Sequence, residues 1–410
     1  MIVLKICDIL FVNIIIFDIM LFIVTAFKSR SNHNYPIKES ISNPKFAVLI
    51  PARDESKVIE GLIKSIKDQT ININMNDVYV IVEDINDYTC DIVKKYGATT
   101  IVRKNLELRR KGYALDEAVK FILDSGEKYD AYFIFDADNV LDKDYFRNMN
   151  ETFFNGYDIG IGYRNTKNGN DNVVAACSTL TFSMINTLGN LQKNKDSRNV
   201  TISGTGFYIK GSFIEKWKGY PFHTLTEDYE LTLYSSLNEM TSFYNDKAMF
   251  YDEQPTSFKV SLDQRTRWIR GFFDARKIYV KKLYEAFKTN GKNSGSQFSN
   301  WIGVKPYILI AIFLVLELFA KLVAGMYYLS VNQLLAYKFF RQFLFLIFIC
   351  YMVLLIATMI IIIREKKVDL SMSSKIKAIF FNPIFLISYV YCAIMALTHK
   401  NLDWKKINHG

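Results

Sequence analysis

The apolar residues of this chain are gathered at its two ends, and that distribution limits what it can fold into. Residues 1–27 are almost continuously apolar and run into Lys28 and Arg30. The stretches 306–328 and 343–363 are each long and apolar enough to cross a bilayer. The middle of the chain mixes polar and apolar residues as a water-exposed domain does. The expected plan is a membrane helix over 1–27, a cytosolic α/β domain over 45–275 and a membrane region over 304–397. A cleaved signal peptide is the rival reading of 1–27, but no small-residue cleavage site follows it. Lys5, Asp8 and Asp18 lie inside this run. Charges at membrane depth are costly unless they face protein or water, so the helix is expected to pack against others.

The two clear C-terminal spans are expected to be joined by a short loop carrying Lys338 and Arg341. After the second come Arg364-Glu365-Lys366-Lys367, a cytoplasmic flank by the positive-inside rule. With Lys28 and Arg30 on the same side, the protein is a multi-pass cell-membrane protein with its middle domain in the cytoplasm. A third apolar run, 378–397, contains Pro383 and is followed by Lys400, Lys405 and Lys406. If it spans, those lysines end up outside; otherwise it dips into the membrane or lies along it. The formal charge of +10 suits anionic lipid or phosphate, and no nucleic-acid module is present. Cys7, Cys90, Cys177, Cys350 and Cys392 are scattered, so neither a disulfide framework nor a thiolate metal site is implied.

Within 46–275, short apolar runs alternate with helical patterns. Strands are expected at Phe46–Ala52, Asp77–Val82, Thr99–Val102 and Ala131–Phe135, and helices at Val58–Lys67, Cys90–Tyr96 and Gly112–Leu123. Such alternation predicts a parallel sheet with helices on both faces. Ligands of such sheets bind beyond the carboxyl ends of the strands. No glycine-rich dinucleotide fingerprint follows the first strand, which argues against a nicotinamide or flavin enzyme.

Three strands deliver carboxylates to that edge: Asp54 and Glu55 after the first, Glu83 and Asp84 after the second, Asp136 and Asp138 after the fourth. Each alone reads equally as a solvated turn or a helix cap. In extended chain Asp136 and Asp138 point the same way, so one hard cation, Mg²⁺ or Mn²⁺, could meet both. The competing reading is a polar turn before a helix that begins near Lys143. Further on, Thr226-Glu227-Asp228 reads as a helix start, with Thr226 as cap and acids in the first turn. A carboxylate held there could take a proton from an attacking hydroxyl. Gln264-Arg265-Thr266-Arg267-Trp268 reads as an amphipathic helix at a bilayer, or as arginines on phosphate with an indole under a sugar.

Pro51–Glu55, Asp84, Asp136-Ala137-Asp138, Thr226-Glu227-Asp228 and Gln264–Trp268 together resemble, in order and spacing, the membrane-bound family-2 glycosyltransferases. Cellulose, hyaluronan and poly-N-acetylglucosamine synthases belong to that group. Lys111–Asp116 and Tyr251–Pro255 look like a bacterial branch of it. The resemblance implies a Rossmann-like GT-A domain flanked by transmembrane helices, and an inverting transfer from a UDP-sugar that makes β-linkages. It implies that Asp54, Glu55 and Asp84 meet the nucleoside, and that Asp136 and Asp138 hold nucleotide and metal. Lys111, Gln264, Arg265 and Arg267 would line the diphosphate. Asp228 would be the general base, and Gly204, Thr205, Glu227 and Trp268 would lie at the acceptor. The first-strand motif departs from the family in carrying Asp54 where Asn is usual. The implied function is a processive polysaccharide synthase coupled to export, with room for a partner subunit. The alternatives are a non-processive enzyme acting on a lipid acceptor and an inactive membrane scaffold.

Overall fold

The computed structural model describes residues 44–398 apart from 290, 292 and 304. The apolar run 1–27 with Lys28 and Arg30, and the lysines at 400, 405 and 406, lie outside these residues.

The first half builds as its periodicity requires. β1 (Phe46–Pro51) leads to α1 (Ile59–Lys67), which buries Ile59, Leu62, Ile63 and Ile66 on one face. β2 (Val78–Val82) is buried throughout. α2 (Tyr88–Tyr96) starts at Asp87, whose carboxylate accepts from the Thr89 amide, and stops at Gly97 in the left-handed region. β3 (Thr99–Val102), α3 (Lys111–Asp124) and β4 (Ala131–Ile134) follow. Along β1, Val48 and Ile50 face α1 while Ala47 and Leu49 face α3, so the sheet is covered on both sides.

The second half contains β5 (Val140–Leu141), α4 (Tyr145–Phe154), β6 (Ile159–Thr166) and α5 (Val173–Met184). A π-helical turn (Ile185–Asn190) joins α5 to α6 (Leu191–Lys195). Then come β7 (Phe207–Lys210), α7 (Gly211–Trp217), α8 (Glu227–Leu237), β8 (Ser242–Asp252), α9 (Phe258–Lys288) and α10 (Ser294–Ile302). The strands form one sheet in the order β3-β2-β1-β4-β7-β6-β8-β5.

Strands β3, β2, β1 and β4 are parallel, as expected, but the sheet as a whole is mixed. β7 runs antiparallel to both β4 and β6, and β5 antiparallel to β8. The reversal at β7 has a local cause: Gly204 and Gly206 both take positive φ and turn the chain back at the carboxyl end of β4. The entry to β7 therefore lies on the same edge as the ends of β1, β2, β4, β6 and β8.

The C-terminal region holds α11 (Lys305–Tyr328), α12 (Gln333–Arg364) and α13 (Met372–Thr398), each with a stretch long and apolar enough to cross a membrane. α12 begins ten residues before the expected 343, so Lys338 and Arg341 lie inside a helix and not in a loop. Asn332 caps it by accepting from the Leu335 amide at 3.2 Å. The run 378–397 is part of the 27-residue α13, which continues through Pro383.

This region docks on the α/β domain. Val174, Ala176, Cys177 and Leu180 of α5 form one buried cluster with Ile361 of α12, Val368 and Leu370 of the connector, and Ala378 and Phe385 of α13. α9 is held from the other side. At Gly271 it crosses the start of α8 so closely that a Cβ would sit 2.6 Å from Thr226 Cγ2 and 2.8 Å from the Thr226 amide nitrogen. Gly271→Ala is therefore expected to destabilise the protein by about 1–3 kcal/mol through overpacking. Gly189→Ala, where a Cβ meets only the Met184 carbonyl oxygen at 4.0 Å, should be neutral or stabilising. Thermal unfolding of the two variants in the same detergent checks this; equal midpoints would mean that α9 is not seated on α8 as described.

Candidate active site

The site lies at the carboxyl edge of the sheet, and one lysine joins its parts. Lys111, the first residue of α3, donates to Asp136 Oδ1 at 2.5 Å and to the Gly204 carbonyl oxygen at 2.7 Å. Its ammonium is also 3.9 Å from Glu227 Oε1. The end of β4, the entry to β7 and the start of α8 thus meet at a single cation. Thr205, fully buried, accepts from the Asp136 amide at 2.8 Å and donates to Asn139 Oδ1, which fixes the turn beneath Asp136.

Glu227 and Asp228 open α8 behind Thr226, as the helix-start reading expects, although Thr226 makes no side-chain cap. Burial raises the pKa of both carboxyls, and the charge of Lys111 opposes the rise. Asp228 lies against Gly204: a Cβ there would be 3.5 Å from Asp228 Oδ2. Arg267 is brought to the same cluster by α9. Burial lowers its pKa, opposed by the attraction of Glu227, Asp136 and Asp228. Trp268, next along, meets the ring of Phe182 edge-on at 5.9 Å and 73°. Gln264 lies one helical turn earlier, partly exposed.

Arg265 is not at this cluster. It is 1% exposed, and its guanidinium donates to the Phe385 carbonyl oxygen at 3.0 Å and to Ser388 Oγ at 2.8 Å on α13. It also lies over the rings of Phe385 at 4.0 Å and Tyr389 at 4.7 Å. The expectation placed it at the diphosphate side; helical spacing instead turns it away from Arg267 and toward α13.

The nucleoside-side candidates occupy the neighbouring loops. Asp84 is exposed and closes an Asx turn, accepting from the Asn86 amide at 2.9 Å. Asp54 is held in the left-handed region at φ 54°, its amide donating to Asp87 Oδ2 at 2.8 Å. The Glu55 amide donates to Thr89 Oγ1 at 3.2 Å. A cross-brace that sequence reasoning missed stiffens this side: Glu83 pairs with Arg53 at 2.9 Å and with Arg103 at 3.5 Å. A buried arginine just past β3 was the available signal.

Asp138 accepts from the Asn139 side chain at 3.0 Å and from the Glu253 amide at 3.3 Å. Asp136 keeps a side chain 40% exposed. No group of three His, Cys, Asp or Glu side chains able to hold a metal occurs among the described residues. The pair therefore fits a hard divalent cation only if phosphate and water complete its shell. Sequence reasoning also missed Arg164, at the end of β6, and gave Asp252 no role. Arg164 Nε and Nη2 reach Asp252 Oδ2 at 2.6 and 2.5 Å, and Nη1 donates to the Ser203 carbonyl oxygen at 2.9 Å. A charged residue closing an apolar strand was the visible hint.

Over 266 residues the chain is 29% identical to the probable glycosyltransferase YdaM of Bacillus subtilis (strain 168), covering 61% of this chain and 59% of that protein. It thus spans less than two thirds of that relative's length. Among solved structures it is similar to the mannosyltransferase PcManGT from Pyrobaculum calidifontis in complex with GDP-Man and Mn²⁺. The TM-score is 0.57 at 14% identity, over 97% of this chain and 100% of that one. It also matches S. aureus TarS 1-349 in complex with UDP, with a TM-score of 0.45 at 13% identity, over 85% and 91% of the two chains. The GT-A-like α/β fold with a mixed sheet is common ground with PcManGT. Residues 44–271, more than half of the chain, match the family described as glycosyltransferase like family 2, and the protein belongs to that family.

Proposed function

We propose that the protein is an inverting glycosyltransferase that moves a sugar from a UDP-sugar onto a growing β-linked polysaccharide at the cytoplasmic face of a membrane, processively and with export. The observation that carries this reading is the meeting of Asp136, Glu227 and the Gly204 turn, against which Asp228 lies, at the Lys111 ammonium on the sheet edge.

The chemistry follows from the placement. An acceptor hydroxyl oxygen attacks the anomeric carbon from the side opposite the diphosphate. The bond from that carbon to the phosphate oxygen breaks, and its electron pair leaves with the nucleoside diphosphate. The hydroxyl proton passes to Asp228, whose half-buried carboxylate lies beside Gly204. Lys111 and Arg267 offer positive charge to the diphosphate, with Gln264 on the same helix. Asp54, Glu55 and Asp84 take the nucleoside end. Asp136 and Asp138 would hold Mg²⁺ or Mn²⁺ together with phosphate oxygens, and the ion would neutralise charge on the leaving group. Gly204, Thr205 and Glu227 shape the acceptor side, and the indole of Trp268 offers a face to the acceptor's terminal sugar.

Orientation rests on the connector after α12. The Lys367 ammonium reaches Asp246 Oδ2 at 2.7 Å, and the Asn165 side chain donates to the Lys367 carbonyl oxygen at 2.9 Å. The basic end of α12 is thus strapped to the catalytic domain. By the positive-inside tendency both are cytoplasmic, with residues 1–27 and 304–397 in the membrane and 45–275 in the cytosol.

Purified protein in nanodiscs, given UDP-N-acetylglucosamine, UDP-glucose or GDP-mannose, is expected to make a labelled polymer from one UDP-sugar and none in excess chelator. A product of one or two sugars on lipid would instead establish the non-processive alternative. Asp228→Asn should bind donor but transfer about 10²–10⁴-fold more slowly. A folded variant with the wild-type rate would remove Asp228 from the role of base.

The pH dependence gives a separate test. Asp228 works as the carboxylate, and its pKa is raised, so kcat should fall as pH falls through that raised value. Lys111 holds the pKa down. Lys111→Met should therefore move the acidic limb of the kcat profile to higher pH, beyond any uniform loss of rate. A limb that stays in place would mean that another group limits the reaction at low pH.

A further inference from the structure

Arg164 does more than bridge two strands. Its guanidinium has three neighbours in three directions. Nε and Nη2 hold Asp252 Oδ2, Nη1 holds the Ser203 carbonyl oxygen at 2.9 Å, and its plane lies over the Phe182 ring at 3.8 Å. One of these neighbours touches a group at the reaction centre, and a second is joined to one along the chain. Phe182 is the ring that Trp268 packs against. Ser203 precedes Gly204, against which Asp228 lies and whose carbonyl Lys111 holds.

We propose that Arg164 is a positioning residue for the acceptor, coupling the tryptophan platform through Phe182 to the turn that seats the catalytic carboxylate. The proposal rests on the assignment of Asp228 as base and Trp268 as acceptor platform.

The surroundings of Arg164 fix it for this task. Gln254 donates to Asp252 Oδ2 at 2.7 Å, which anchors the counter-ion from the far side. Asn186, in the π-helical turn just after Phe182, donates to the Arg164 carbonyl oxygen at 2.8 Å. The segment that carries Phe182 is thereby registered on the strand that carries Arg164. A wide turn of this kind re-aims the side chains that precede it, and such turns are frequent at functional sites. Only a planar fork meets all three neighbours at once; a lysine ammonium offers charge but neither the stack nor the two-sided hydrogen bonding. The charge of Arg164 also acts on Asp228, alongside Lys111, Arg267, Asp136 and Glu227.

A purely structural strand-to-strand ion pair would predict a loss of stability and an equal loss of every activity. Positioning predicts a split. In nanodiscs, with the same three nucleotide sugars as probes, Phe182→Leu leaves the Arg164–Asp252 pair intact and removes only the ring. It should lower transfer by about 10–100-fold, the cost of a misplaced acceptor. Donor hydrolysis by water, which needs no platform, should stay within about 3-fold of wild type in the folded variant, while loss of the buried ring lowers the melting temperature. Arg164→Lys, which keeps the charge but loses both the ring contact and the hold on the Ser203 turn, should lower transfer more than Phe182→Leu does and lower donor hydrolysis as well. Phe182→Leu combined with Trp268→Leu should be no slower than Trp268→Leu alone, because both act through one platform. Transfer at the wild-type rate in folded Phe182→Leu would overturn the proposal, as would hydrolysis falling in step with transfer in that variant. If Arg164→Lys fails to fold, the Phe182 variants decide alone. A wild-type protein that neither transfers nor hydrolyses any of the three sugars overturns the glycosyltransferase reading itself, and this proposal with it.

Discussion

Everything at the sheet edge depends on the charge of Lys111. At the start of α8 Glu227 is buried and Asp228 half-buried, and Asp136 stands close by. Carboxylates gathered in this way repel one another and lose hydration, so burial without a cation would leave them protonated. Lys111 meets that need from the first turn of α3 and makes a second hydrogen bond to the Gly204 carbonyl. One ammonium therefore sets the electrostatics of the site and the position of the turn that reverses the sheet. Removing one partner of such a cluster costs far more than the pair contributes, because the other charge stays buried.

The site is also tied to the apolar C-terminal helices, through contacts of three kinds. Arg265 reaches α13, buried among Phe385, Ser388 and Tyr389. The apolar face of α5 packs on α12, α13 and their connector. The connector itself is strapped on by Lys367, and by Glu365, whose carboxylate accepts from Thr187 at 2.5 Å. α9 carries Arg265 and Arg267 on different faces, so the helix that offers charge to the carboxylates is the one held by α13.

Several parts of this were legible in the residues. The buried strands read correctly because their apolar runs have no other stable use. α1 read correctly because Ile59, Leu62, Ile63 and Ile66 recur at helical spacing. Other parts were not. The mixed sheet was missed because strand direction depends on how a strand pairs, and nothing within Phe207–Lys210 records that it runs against β4. The true start of α12 was missed because Lys338 and Arg341 look like loop residues when hydropathy alone is weighed. Arg265 was misplaced because a motif gives residue order, while the face each residue takes depends on what packs around the helix.

The sequence by itself determined the α/β class, the long apolar segments of the C-terminal region and the acidic residues at strand ends, since these follow from hydropathy, periodicity and spacing along one chain. Tertiary structure alone decided that Lys111 meets Asp136 and Glu227, that Arg267 faces the carboxylates while Arg265 turns to α13, and that Arg164 lies between Phe182 and Ser203. The physical reason is range. Periodicity and capping act between residues a few positions apart, whereas ion pairs and ring contacts join residues whose separation in sequence carries no signal. Arg164 and Asp252 lie 88 positions apart, and only the pairing of β6 with β8 brings them within a hydrogen bond.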